Sequence, residues 1–140
     1  AAAAVASASG PLPAQASLDG VPDVGSLNIG RKRNVAKIAE GYKSLVAAGR
    51  IEEEWVKGTL PKMAKNMEIW GGLMRAEMVP DKRSKLSIKD AKDFKKVAES
   101  GDYDGALKAF NKYLDDLPSS GPGGSGKIDL DNPMLPPGAR

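Results

Sequence analysis

The sequence predicts an all-α chain: a four-helix up-and-down bundle over residues 31–118, with an extended strap at 1–30 and an extended Gly/Pro-rich tail at 119–140. Three observations carry that prediction. Between Arg31 and Leu117, apolar residues recur at spacings of three and four, which gathers them on one side of each helix. Gly49, Pro61, Pro80, Gly101 and Pro118 punctuate this region where helices stop or restart. Outside it no apolar period is present, and a chain that buries little apolar surface does not offset the entropy of ordering its backbone.

The elements follow in order. Ala1 to Ala16 is rich in Ala, Ser, Gly and Pro, and Ala6-Ser7-Ala8 has the small-x-small form that processing peptidases accept. Two readings fit it: the start of a mature chain that has lost a targeting segment, or an alanine-rich linker. Residues 17–30 continue as a strap with Gly20, Pro22, Gly25 and Gly30. The first helix is expected from Arg31 to Gly49, with Val35, Ile38, Tyr42, Leu45 and Val46 facing inward. The second begins near Ile51 and carries Glu52, Glu53 and Glu54 in its first turn, where the helix dipole favours anions. Pro61 kinks or restarts it. Beyond the proline, Leu60, Met63, Met67, Trp70 and Met74 form a core stripe, while Gly71-Gly72 lets another backbone come close or weakens the turn.

After Pro80, Lys82 to Leu86 reads as a basic connection, and Ser87 with Asp90 as an acidic capping box that opens a third helix. Its inner side is Ile88, Ala91, Phe94, Val97 and Ala98. Asp102 caps a fourth helix whose inner side is Tyr103, Ala106, Leu107, Phe110, Leu114 and Leu117. The tail from Ser119 to Arg140 is expected to stay extended and to order only against a partner.

Composition points away from catalysis. The chain has no cysteine and no histidine, so thiolate nucleophiles, cysteine or histidine metal sites and the usual general base near pH 7 are absent. Glu52-Glu53-Glu54 and Asp115-Asp116 do not converge on one ion, because neighbouring helix positions diverge by about 100°. Asp129-x-Asp131-Asn132 lacks the glycine and the distant glutamate of a calcium loop. Gly126-Lys127 is followed by Ile128 instead of Ser or Thr, and no strand precedes it, so it is not a phosphate loop. The expectation is therefore no enzyme activity, no metal and no cofactor. No run approaches the roughly 20 apolar residues that span a bilayer.

Charge marks where binding is expected. Residues 31–117 carry 19 basic against 14 acidic side chains, whereas residues 1–30 carry only Asp19 and Asp23. Within 82–96, seven basic residues are opposed only by Asp90 and Asp93. Such a patch favours an acidic surface. Nucleic acid is disfavoured, because no recognised binding motif is present and Asp90 and Asp93 interrupt the charge. The candidate partner-facing residues are Arg31, Lys32, Arg33, Lys82, Arg83 and Lys85, with Leu130, Met134 and Leu135 in the tail. Trp55 is included as a core or interface anchor, and sequence alone does not choose between the two.

Leu86 to Phe94, with Gly101-Asp102-Tyr103-Asp104-Gly105-Ala106-Leu107-Lys108-Ala109-Phe110 running on to Leu114-Asp115-Asp116-Leu117-Pro118, resembles the closing helix pair of the PsbQ-type extrinsic proteins of photosystem II, in particular their algal branch. That resemblance implies a four-helix bundle in the chloroplast thylakoid lumen, peripheral to the membrane. It would dock on photosystem core or antenna subunits and support the oxygen-evolving cluster without catalytic residues. Pro61, Gly71-Gly72 and the long tail depart from the family pattern, which leaves open a subunit linking a photosystem to its antenna proteins. Gly101 to Phe110 also looks like the second half of a tetratricopeptide repeat, which would imply a small helical adaptor for peptides; no second copy occurs at a 34-residue period.

Overall fold

The computed structural model describes residues 24–73, 82–119 and 125–134, of which 77% are helical, with no strand among them. In chain order the elements are α1 (Val24–Gly30), a π-helical stretch (Arg31–Val35), α2 (Ala36–Ala48), α3 (Glu53–Gly58), α4 (Leu60–Gly72), α5 (Lys82–Glu99) and α6 (Tyr103–Asp116). The strap expected over 1–23, the stripe residue Met74, the stop at Pro80 and the tail residue Leu135 lie outside the described residues.

The first helix starts earlier than its apolar period. Val24 to Ala48 is continuously helical, so the last part of the expected strap is helix. Tertiary packing explains this, as it does for most short helices. Leu27 is buried in the core, and Gly30 presents no Cβ where one would meet Leu73 Cδ1 at 2.8 Å and the Trp70 ring at 3.3 Å. At the junction, the Ala36 amide bonds the Arg31 carbonyl five residues back. This one-residue widening turns Arg31, Asn34 and Val35 inward together. Ile38 and Leu45 are buried as expected, but Val46 is 45% exposed, one position beyond the inward stripe.

Pro61 restarts the second helix: α3 ends at Gly58, and Pro61 occupies the first turn of α4, where a missing amide is tolerated. Leu60, Met63, Met67 and Trp70 are all buried, so this stripe is core. Gly71 supplies the close approach: a Cβ there would meet Ser87 Cβ at 2.7 Å and the Ser87 carbonyl carbon at 3.3 Å.

The third helix corrects the capping-box expectation. Helix α5 already includes Lys82, so Lys82 to Leu86 is not a connection, and Ser87 and Asp90 are buried mid-helix. Ser84, Ser87, Ala91, Phe94 and Ala98 form its inward side at spacings of three and four. Small side chains there let α5 lie close to α4 at Gly71. The Asp102 cap is as expected, its carboxylate accepting from the Gly105 amide at 2.9 Å.

Aromatic rings tie the elements together. Tyr42 stacks on Phe110 at 4.2 Å between centroids, Phe94 lies 5.6 Å from Phe110, and Trp55 meets Phe94 edge-on at 6.4 Å. The indole of Trp55 donates to the Gly41 carbonyl at 3.1 Å, which settles this residue as a core anchor. Tyr113, absent from the expected inner side of the last helix, is fully buried and donates to the Met67 carbonyl at 2.7 Å.

Candidate docking surface

The side of α5 opposite its buried stripe is a line of cations. Lys82, Lys85, Lys89, Lys92 and Lys96 are all exposed and spaced by three or four, hence on one side of the helix. At 1.5 Å per residue the line runs for about 21 Å. Leu86, 39% exposed, sits within it, and Asp93 is the acidic residue on the same side. Lys89 pairs with Asp93 at 2.9 Å, both side chains largely in water. Exposed pairs of this kind contribute about 0.2–1 kcal/mol and leave the positive field in place. The earlier candidates Lys82 and Lys85 belong to this side, whereas Arg83 is half-buried and already engaged within the fold. Sequence reasoning counted Lys89, Lys92 and Lys96 in the charged run without singling them out; their helical spacing was the available signal.

Other candidates separate. Lys32 and Arg33 are exposed. Arg31 is 2% exposed and turned inward, so it is not part of a free surface. Its guanidinium lies 4.8 Å from the centre of the Trp70 ring, and burial lowers its pKa. Trp55 is in the core. Leu130 is half-buried and packs on the core, while Met134 remains 44% exposed.

The tail accounts for Arg31. Residues 125–130 lie on the helices instead of standing away from them, which corrects, for this stretch, the expectation of a tail ordered only by a partner. Arg31 Nη2 donates to the Ser125 carbonyl at 2.8 Å and Arg31 Nη1 to the Lys127 carbonyl at 3.0 Å. Between them, Trp70 Nε1 donates to the Gly126 carbonyl at 2.9 Å. The Gly126 amide returns to the Pro118 carbonyl at 2.9 Å. Lys127 Nζ donates to the Leu114 and Asp115 carbonyls at 3.2 and 2.6 Å, a cation on the negative end of α6. Ile128 and Leu130 then add apolar contact.

A second polar cluster joins α5 to α6. Asp90, 1% exposed, accepts from Lys112 Nζ at 3.0 Å through Oδ1, and Lys112 also donates to Asp116 at 2.7 Å. Asp90 Oδ2 and Ser87 Oγ have no hydrogen-bond partner among the described residues. Burial, and then the neighbouring Asp116 carboxyl, push Asp90 up to about 6, against the pull of Lys112. Asp116 is held below its usual value, first by Asp90 and then by Lys112, and Lys112 is raised by Asp116 and Asp90. Burial and the nearby Asp90 also raise the Tyr113 phenol well above its ordinary value.

A cleft of about 370 Å³ between α2 and α4 is lined by Lys37, Ser44, Thr59, Lys62 and Asn66 over Met63. Among the described residues no three metal-ligating side chains converge, and no helix is long and apolar enough to cross a membrane. No family model, curated protein or solved structure matches this chain.

Proposed function

We propose that this chain is a non-catalytic peripheral subunit that sets the lysine side of α5 against an acidic surface of a larger assembly. The observation that carries this reading is the alignment of Lys82, Lys85, Lys89, Lys92 and Lys96 on one side of a helix whose other side is core. Five cations along a rigid rod steer an acidic partner and fix its orientation; the contribution is to encounter rate and specificity more than to affinity. The rod is held by the Gly71–Ser87 approach and by the Asp90–Lys112 bridge, so the lysines are presented without an ordering step at the backbone.

The assembly we propose is photosystem II on its lumenal side, with the chain serving in the manner of the PsbQ-type extrinsic proteins. Its support is the sequence resemblance over Leu86 to Pro118. The helical arrangement is compatible with a four-helix up-and-down bundle: Gly30 lies opposite Trp70 and Gly41 opposite Met63, Gly71 opposite Ser87, and Asp90 opposite Lys112. The contacts Gly30–Trp70 and Gly41–Met63 run in opposite chain directions, which supports this reading. In this role the chain supports the oxygen-evolving cluster by covering and bracing neighbouring subunits.

Rebinding to salt-washed photosystem II membranes tests both parts. The parent chain is expected to bind at low salt and to release as the Debye length falls from about 10 Å towards about 3 Å. Lys82→Glu, Lys85→Glu and Lys92→Glu together should weaken binding at least tenfold and flatten its salt dependence. Equal binding of the triple reversal at low salt refutes the electrostatic reading, and no binding by the parent refutes the assembly.

A further inference from the structure

The tail contact has the form of a ligand in a receptor. Three side-chain N–H groups, two from Arg31 and one from Trp70, meet three consecutive carbonyls of Ser125, Gly126 and Lys127 at 2.8–3.0 Å. All three bonds go to main chain, so this part of the recognition reads an extended backbone and not side-chain identity. The donors are positioned by the helices: Trp70 is packed in the core, and the Arg31 guanidinium is stacked over its ring. Arg31 Nε, also buried, has no partner among the described residues, so the groove has donor capacity that the tail does not use. Beyond the carbonyl triad, Ile128 and Leu130 lie against the core and supply apolar grip.

The connection from the end of α6 is Ser119-Ser-Gly-Pro-Gly-Gly, and the Gly126 amide bonds the Pro118 carbonyl on the far side of it. A copy of the segment arriving from another molecule can make the same bonds, because the partners Arg31, Trp70, Leu114 and Asp115 are on the helices and Pro118 lies just past the end of α6. We propose that the Arg31–Trp70 groove is a main-chain receptor for an extended segment, and that two copies of this chain exchange residues 125–130 across it. Within one molecule the short connection keeps the segment at high effective concentration, so the groove is normally filled in cis. Exchange needs the cis segment weakened or the local concentration raised, as when copies sit side by side on an assembly.

Complementation between two full-length variants tests this. An acceptor carries Ile128→Asp and Leu130→Asp, which weaken its own tail and leave the groove intact. A donor carries Arg31→Met and Trp70→Phe, which remove the three donors and leave its tail intact. Each alone is expected to be monomeric by light scattering, and their mixture to form a 1:1 heterodimer. In parallel, a fluorescein-labelled peptide of residues 125–134 should bind the acceptor at least tenfold more tightly than it binds the parent chain. This second arm stands even where the donor variant fails to fold, as checked by circular dichroism. A mixture of two folded variants that remains monomeric overturns the exchange, and so does equal peptide affinity for acceptor and parent.

Discussion

Replacing Asp90 by Asn should stabilise the protein at neutral pH and leave it unchanged in mild acid. The Asp90 carboxyl is buried, with Oδ1 on Lys112 and Oδ2 without a partner among the described residues. Two ionised carboxylates are both acceptors, so the Asp90–Asp116 pair gains a hydrogen bond only when one of them holds a proton. Its rise from 3.8 to about 6 corresponds, at about 1.4 kcal/mol per tenfold change in proton affinity, to up to about 3 kcal/mol. Because the folded value is the higher one, this stabilisation is fully present below about pH 4 and lost as pH rises through about 6. Asp116 has the opposite sign, but its depressed value confines its loss to pH below about 4. Asparagine reproduces the protonated state at every pH, accepting from Lys112 and donating towards Asp116. The pull of Lys112 on the ionised carboxylate is already contained in that net rise. The gain expected at pH 7.5 is therefore up to about 3 kcal/mol, falling to near zero at pH 4. Urea unfolding followed by tryptophan fluorescence at five pH values between 4 and 8 measures it. A difference between variant and parent that does not change with pH, or a loss of stability at pH 7.5, refutes the reasoning.

Three further outcomes follow from particular contacts. Gly71→Ala should cost about 1–3 kcal/mol in urea unfolding, because the added methyl meets Ser87 Cβ at 2.7 Å and neither group is the free end of a flexible side chain; a neutral substitution contradicts the close approach of α4 and α5. Asp102→Ala should lose about 1 kcal/mol and Asp102→Ser should restore most of it, since the side chain caps α6 through the Gly105 amide; equal loss in both variants contradicts a capping role. Hydrogen exchange on the isolated chain should show protection at the Gly126 amide, bonded to the Pro118 carbonyl, and Trp70→Phe should reduce it; unprotected exchange in the parent contradicts the docked tail.

Legibility of the fold followed the kind of information each residue carries. The stripe Leu60, Met63, Met67 and Trp70 was readable because burial of a helix side leaves a period in the sequence. The Asp102 cap was readable because a cap needs one residue type at one offset. Ser87 and Asp90 have that same offset and were misread: Ser87 is small because Gly71 approaches it, and Asp90 is buried because Lys112, twenty-two residues away, bridges to it. Neither partner is local. Arg31 was misread for the same reason, being adjacent to Lys32 and Arg33 in sequence but facing Ser125 and Lys127 in space. Docking of the tail on its own helices was not readable because the groove binds its carbonyls, which every residue possesses, so this order leaves little trace in composition. Of the candidate surface, Lys82 and Lys85 were legible from charge alone, whereas the full line through Lys96 required knowing that the helix begins by Lys82.

The most direct test of the docking account is a zero-length carbodiimide cross-link between this chain and the assembly it binds, mapped by mass spectrometry. Such a reagent joins an amine only to a carboxylate in contact with it. Partner links are expected to concentrate at Lys82, Lys85, Lys89, Lys92 and Lys96, the exposed line on α5, with acidic residues at the other end. Links concentrated instead at Lys37, Lys43, Lys57, Lys62 and Lys65, with α5 unlinked, would contradict it.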